Sequence, residues 1–261
     1  MWTKDLFGTD KPIIALLHLD PLPGEPGFKG SLDEVMAHAA ADLAALQDGG
    51  VDGVLIANEY CFPITPHTGT VTLMAMAAVI GSLKKDLRIP FGTNVVYNPE
   101  ETIKMGAALG ASFGRSAFGG TFTGSYGLHS VNFGDMVRLK YSLGRPDYQL
   151  LIKFNPEGDS RLGSQTTEEL VNDFANGGYA GAFCVSGPGA GKEASMGFLE
   201  EVAALAKKKN IPVFCNTGCR HDTIEAILKI ADGACVGTAL KGPDGRVDIE
   251  KVKSFMANAR K

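Results

Sequence analysis

His18, Glu59, Arg115 and Lys153 each stand at or just past the end of a short apolar run. Together they offer a proton carrier, a carboxylate and two cations. Imidazole titrates near neutrality and can move protons. A carboxylate such as Glu59 becomes a general base once a neighbouring histidine or lysine tunes it. The Lys153 amine can steady an enolate or form a Schiff base, and the Arg115 fork fits a carboxylate or phosphate. Each also has a plainer use. His18 can tie down the proline-rich loop Pro21–Pro26, Glu59 can neutralise Arg115 or Lys153, Lys153 can sit solvated, and Arg115 can anchor a loop. Asn58 and Asn94, at two other strand exits, suit substrate hydroxyls or turn caps.

A second group of residues suits anions. Within Ile211–Gly242, the apolar strands Val213–Cys215 and Gly233–Val236 close on Asn216–Thr217–Gly218 and Gly237–Thr238–Ala239. A strand followed by small residues and a helix start leaves backbone N–H groups free for a phosphate. Asn216, Thr217, Gly218, Gly237 and Thr238 are therefore binding candidates. Ser186 and Gly187 join them, opening the most glycine-rich exit loop, Ser186–Gly191. Tight turns also use glycine for steric reasons alone.

Residues so far apart in the chain need elements that gather them. Apolar strands at Ile13–Leu17, Val54–Ile56, Phe91–Val96, Ser112–Arg115, Gln149–Lys153 and Gly181–Val185 precede the two above. Runs with helical spacing separate them, such as Thr70–Leu83 and Pro99–Leu109. Ser31 with Glu34 caps the first long helix, and Pro99 opens a later one. Eight strands alternating with helices predict one α/β domain over residues 1–261, a (β/α)₈ TIM barrel of the phosphate-binding type. The segment 1–11 acts as an N-terminal cap whose aromatics cover the barrel bottom. In such a barrel, strand ends converge on one mouth and phosphate sits after strands seven and eight. An open doubly wound sheet is the alternative. Gly119–Asn132, with Tyr126 and His129, reads as a long loop that serves as a lid or an interface. With small-residue helix faces, it points to a homo-oligomer.

Composition narrows the partners. A formal charge of −4 gives no broad basic surface for nucleic acid. No apolar run spans a bilayer, and Met1–Lys11 lacks a signal-peptide core. Five cysteines without knuckle spacing fit a reducing cytoplasm better than a disulfide framework. Gly187–Gly189–Gly191 lacks the spacing of a dinucleotide fingerprint, and Gly187–Lys192 lacks a Walker ending, so no nucleotide or redox cofactor is expected. A divalent metal stays open through His18, Asn58, Glu59 and Asn94, and less so through Cys219 with His221.

The chain resembles the BtpA/SgcQ-like family over nearly its whole length. The resemblance rests on His18–Leu19 before Leu22–Pro23–Gly24 and Pro26, on Gly49–Gly53, and on Pro90–Phe91–Gly92 with Asn94–Val95. It continues through Ala231–Asp232–Gly233 to Val236–Gly237–Thr238. Asn58–Glu59–Tyr60 and Asn216–Arg220 look like the SgcQ branch. The resemblance implies a phosphate-binding barrel from a branch associated with sugar-phosphate gene clusters, while another branch is associated with photosystem I assembly. The broader family carries acidic residues where this chain has Ala57, Cys61 and Gly124 or Ser125, which weakens transfer of an acid, base or metal role.

Two classes of function follow. One is an isomerase, epimerase, lyase or hydrolase acting on a phosphorylated sugar or related metabolite. The other is a non-enzymatic assembly or regulatory protein that keeps an anion-binding mouth.

Overall fold

Strands joined through helices must pair in parallel, because each helix returns the chain to the same end of the sheet. The computed structural model describes residues 1–189 and 192–261, so Ala190 and Gly191 of the glycine-rich loop lie outside it. The strands are β1 (Ile13–His18), β2 (Gly53–Ala57), β3 (Phe91–Asn94), β4 (Phe113–Ser116), β5 (Gly120–Gly124), β6 (Gly127–Val131), β7 (Gln149–Lys153), β8 (Asp159–Arg161), β9 (Ala182–Val185), β10 (Val213–Cys215) and β11 (Gly233–Val236). Eight of these close in the order β1-β11-β10-β9-β7-β4-β3-β2, and every pairing in that ring is parallel. The helices are α1 (Trp2–Phe7), α2 (Leu32–Asp48), α3 (Thr70–Leu83), α4 (Pro99–Leu109), α5 (Phe133–Ser142), α6 (Thr167–Ala175), α7 (Met196–Lys207), α8 (Ile224–Ile230) and α9 (Ile249–Ala259). This is a (β/α)₈ barrel.

Side chains alternate across each strand, and that parity sorts the core. Ile13, Ala15 and Leu17 face outward into the layer under the helices, with Val54, Ile56, Leu150 and Ile152. Ile14, Leu16, Leu55, Phe113, Leu151, Cys184, Phe214 and Cys235 face the barrel axis. Trp2, Leu6 and Phe7 of α1 pack against that inner layer, and Trp2 Nε1 donates to the Gly181 carbonyl at 2.8 Å.

The expected loop Gly119–Asn132 is instead a hairpin, β5 against β6. Its other edge pairs with β8, from the connection after β7, so two excursions form one three-stranded antiparallel sheet. The expected strand Phe91–Val96 stops at Asn94. Beyond it the Val96 amide donates to Asn58 Oδ1 at 2.8 Å and Asn98 turns back to the Val95 carbonyl, which bends the chain out of the sheet.

Candidate active site

Continuing the parity of the inner layer by two residues brings the next tier to the C-terminal mouth. His18 follows Leu16, Arg115 follows Phe113, Lys153 follows Leu151, Asn216 follows Phe214 and Gly237 follows Cys235. These five line a cavity of about 490 Å³, together with Glu59, Thr217, Gly218 and Thr238. The sequence-predicted residues thus largely meet.

Four do not reach the wall. Asn58 has the parity of Val54 and Ile56, which face the helices, and its side chain braces the β3 exit through Val96. Asn94 lies behind Arg115 and accepts from Nη2 at 3.0 Å. Ser186 Oγ accepts from Asn216 Nδ2 at 2.8 Å. The Gly187 amide is occupied by Thr217 Oγ1 at 2.6 Å, so it holds two exit loops together.

The floor is a network of charged groups. Arg115 is buried and donates from Nη1 to Asn216 Oδ1 at 2.8 Å, while its Nε has no partner. Asn216 Nδ2 donates onward to Glu157 Oε1 at 3.0 Å, and Lys153 donates to Glu157 Oε2 at 2.9 Å. Burial would raise the Glu157 carboxyl, but Lys153 and Arg115 outweigh it and hold the group below the usual carboxylate range. Glu157 is therefore an ion-pair partner rather than a base. Glu59 lines the same cavity without a cation at ion-pair distance among the described residues. Lys153, one of its two foreseen partners, is paired to Glu157 instead.

His18 does not anchor the Pro21–Pro26 loop. Lys241 Nζ, which also donates to Tyr60 Oη, contacts His18 Nδ1 at 3.1 Å, and His18 Nε2 is buried without a partner. Burial comes first, then repulsion from Lys241, Arg115 and Lys153, in driving the imidazole well below its usual value. It is neutral at pH 7, and its unpartnered Nε2–H is buried in the cavity wall.

Next to β1 in the ring, at the exits of β11 and β10, the amides of Gly218, Gly237, Thr238 and Ala239 have no acceptor among the described residues, and all four residues line the cavity. Gly218 has φ 74, and a Cβ there would come 2.4 Å from Glu193 Cα. Arg220 also lines this wall, with its guanidinium paired to Glu193. No set of three His, Cys, Asp or Glu side chains converges as metal ligands among the described residues. His221 Nε2 contacts the Ala239 carbonyl at 3.1 Å instead of joining Cys219, and all five cysteines are buried and free.

Sequence reasoning missed Glu157 and Lys241. Glu157 sits four residues past Lys153 in an Asn-Pro-Glu-Gly stretch that reads as a turn. Lys241 lies just past the small-residue turn after β11, and its local sequence carries no sign of its contact with His18.

A model of the BtpA family matches residues 9–261. The chain belongs to the BtpA family. It is 35% identical over 264 residues to the sgc region protein SgcQ of Escherichia coli (strain K12), covering 98% of this chain and 96% of SgcQ. It is 28% identical over 238 residues to the photosystem I biogenesis protein BtpA of Synechocystis sp., covering 90% of this chain and 82% of that one. Among solved structures it is similar to tryptophan synthase subunit alpha from Campylobacter jejuni, at a TM-score of 0.59 and 14% identity over 98% of each chain. At that identity the likeness concerns the barrel itself. No described helix of this family member is long and apolar enough to cross a membrane.

Proposed function

We propose that the protein is an enzyme acting on a phosphorylated sugar or a related metabolite. The phosphate rests on the amides of Gly218, Gly237 and Thr238, and the reacting carbons lie over the floor. One observation carries this reading: acceptor-free amides of the β10 and β11 exits share one cavity with His18 and Glu59. Phosphate binding after the last two strands is the habit of the fold.

Glu59 takes the proton as general base. His18, neutral and donating, polarises a substrate oxygen, as a fixed dipole in a water-poor site does. Arg115 and Lys153 add positive potential beneath the developing charge, with Glu157 and Asn216 holding them in place. Proton transfer of this kind serves isomerases, epimerases, lyases and hydrolases alike. It requires no nucleotide or redox cofactor. Five free thiols fit work in a reducing cytoplasm.

The second reading, an assembly or regulatory role like that in the name of the Synechocystis relative, draws on one feature. Arg115, Asn216, Glu157 and Lys153 are already linked in one hydrogen-bonded chain. A thermal-shift screen of phosphorylated sugars beside their unphosphorylated parents separates the two. Stabilisation confined to phosphorylated members, followed by turnover of one of them, supports the enzyme. No stabilisation by any member favours the assembly role.

A further inference from the structure

The cavity has a second wall that phosphate binding leaves unused. Phe62, Ile64, Val96, Tyr97 and Tyr126 line it. They follow β2, β3 and β4, across the ring from β10 and β11. The Tyr97 and Tyr126 rings meet edge to face at 5.3 Å and 76°. Phe62 is 51% and Tyr126 39% exposed, so large apolar surfaces stand in water at the rim.

Tyr97 is held there by several contacts. Its φ is 61, a left-handed conformation that bulky residues avoid. Its hydroxyl donates to Asp159 on β8, and the His129 ring of β6 lies 5.6 Å from it. The three-stranded sheet therefore fixes an aromatic ring at the mouth in a conformation the chain would not choose by itself.

Resting on the phosphate reading, we propose that this wall binds a flat aromatic or apolar aglycone, and that the ligand is a sugar phosphate carrying one. The phosphate then sits at β10 and β11, the aglycone against Tyr97, Tyr126 and Phe62, and the sugar over His18 and Glu59. That order brings the bond between sugar and aglycone above the charged floor. A cavity of about 490 Å³ falls among clefts of roughly 300–1,000 Å³ that enclose drug-sized ligands. Edge-to-face and offset ring contacts supply recognition that a sugar phosphate alone cannot use.

Calorimetric titration of matched pairs tests this. The pairs are ribose 5-phosphate with adenosine 5′-monophosphate, and glucose 6-phosphate with p-nitrophenyl glucoside 6-phosphate; adenosine serves as the phosphate-free control. At least one aryl-bearing phosphate binds about tenfold tighter than its parent, or about 1.4 kcal/mol. Tyr126→Ala and Phe62→Ala, both at exposed positions, each draw that ratio toward one. Parents that bind as tightly as their aryl partners, or a ratio unmoved in both variants, overturn the aglycone wall while leaving the phosphate reading standing. Phosphorylated members that bind no better than adenosine overturn both.

Discussion

Lys241 Nζ lies 3.1 Å from His18 Nδ1, joining positions 223 residues apart in the sequence. An ammonium has only donors, so the imidazole accepts at Nδ1 and carries its proton on Nε2. That nitrogen is buried and has no partner in the protein. A satisfied core histidine would not leave a donor stranded, since an unpaired buried polar group costs roughly 1–3 kcal/mol. The stranded donor is the feature of His18 that the proposed substrate contact would satisfy. Nitrogen-15 NMR of the imidazoles reads the tautomer directly, without any ligand. The wild type is expected to show His18 as the Nε2–H form, and Lys241→Met to shift the balance toward Nδ1–H. An Nδ1–H tautomer in the wild type contradicts the assignment.

The same burial makes stability depend on pH. His18 is held well below the value of 6.5 that it regains on unfolding. Below about pH 6.5 the unfolded chain binds a proton that the folded chain refuses. Stability therefore falls as pH drops through that window, by up to about 1.4 kcal/mol per pH unit. Glu157 acts in the same direction only lower down, because its depressed carboxyl begins to count below 4.5. Urea unfolding between pH 8 and pH 5 covers this window, in which His129, also held low by burial, adds to the slope. His18→Gln should flatten the slope relative to wild type, and equal slopes would show that His18 titrates freely.

The barrel was legible because period-two apolar runs and helical spacing alternate along the chain. Parity then accounts for both success and failure at the mouth. His18, Arg115, Lys153 and Asn216 share the inward face with Leu16, Phe113, Leu151 and Phe214. Asn58 is one residue out of phase and points at the Val96 amide. A one-residue ambiguity in where a strand ends is enough to misplace such a side chain. The sheet over the mouth was illegible for a different reason. β5 pairs Phe122 with Arg161, a contact 39 positions away along the chain, and local pattern carries no trace of such pairing. Glu157 and Lys241 act through partners that only the closed barrel brings near.

Gly218 and Gly237 should separate folding from binding. Gly218 has φ 74, and any Cβ would strike the Glu193 backbone at 2.4 Å. Gly218→Ala is expected to cost more than about 1 kcal/mol of stability, since strain and collision add. Gly237 has φ −122, outside the left-handed region that favours glycine, and its Cβ would meet the Leu16 and His18 side chains at 3.3 and 3.4 Å. Gly237→Ala should fold with little loss, yet crowd the anion wall beside His18. Denaturation together with phosphate-ligand titration checks both. A Gly237→Ala protein that binds as wild type does would remove Gly237 from the site.

Glu59 lines the cavity with no cation at ion-pair distance among the described residues, whereas Glu157 is held by Lys153. With a substrate in hand, Glu59→Gln should keep its affinity and lose turnover by about 10²-fold or more. Glu157→Gln should instead lower stability, because it leaves the part-buried Lys153 near Arg115 without a counter-charge. Turnover near normal in folded Glu59→Gln would reject Glu59 as the base.

The crystal structure of a complex with whichever phosphorylated sugar stabilises the protein measures the central claim. The phosphate oxygens should lie about 2.7–3.2 Å from the amide nitrogens of Gly218 and Gly237, with sugar carbons between His18 Nε2 and Glu59. A phosphate seated on Arg115 and Lys153, or at the Tyr97 wall with those amides still free, would contradict it.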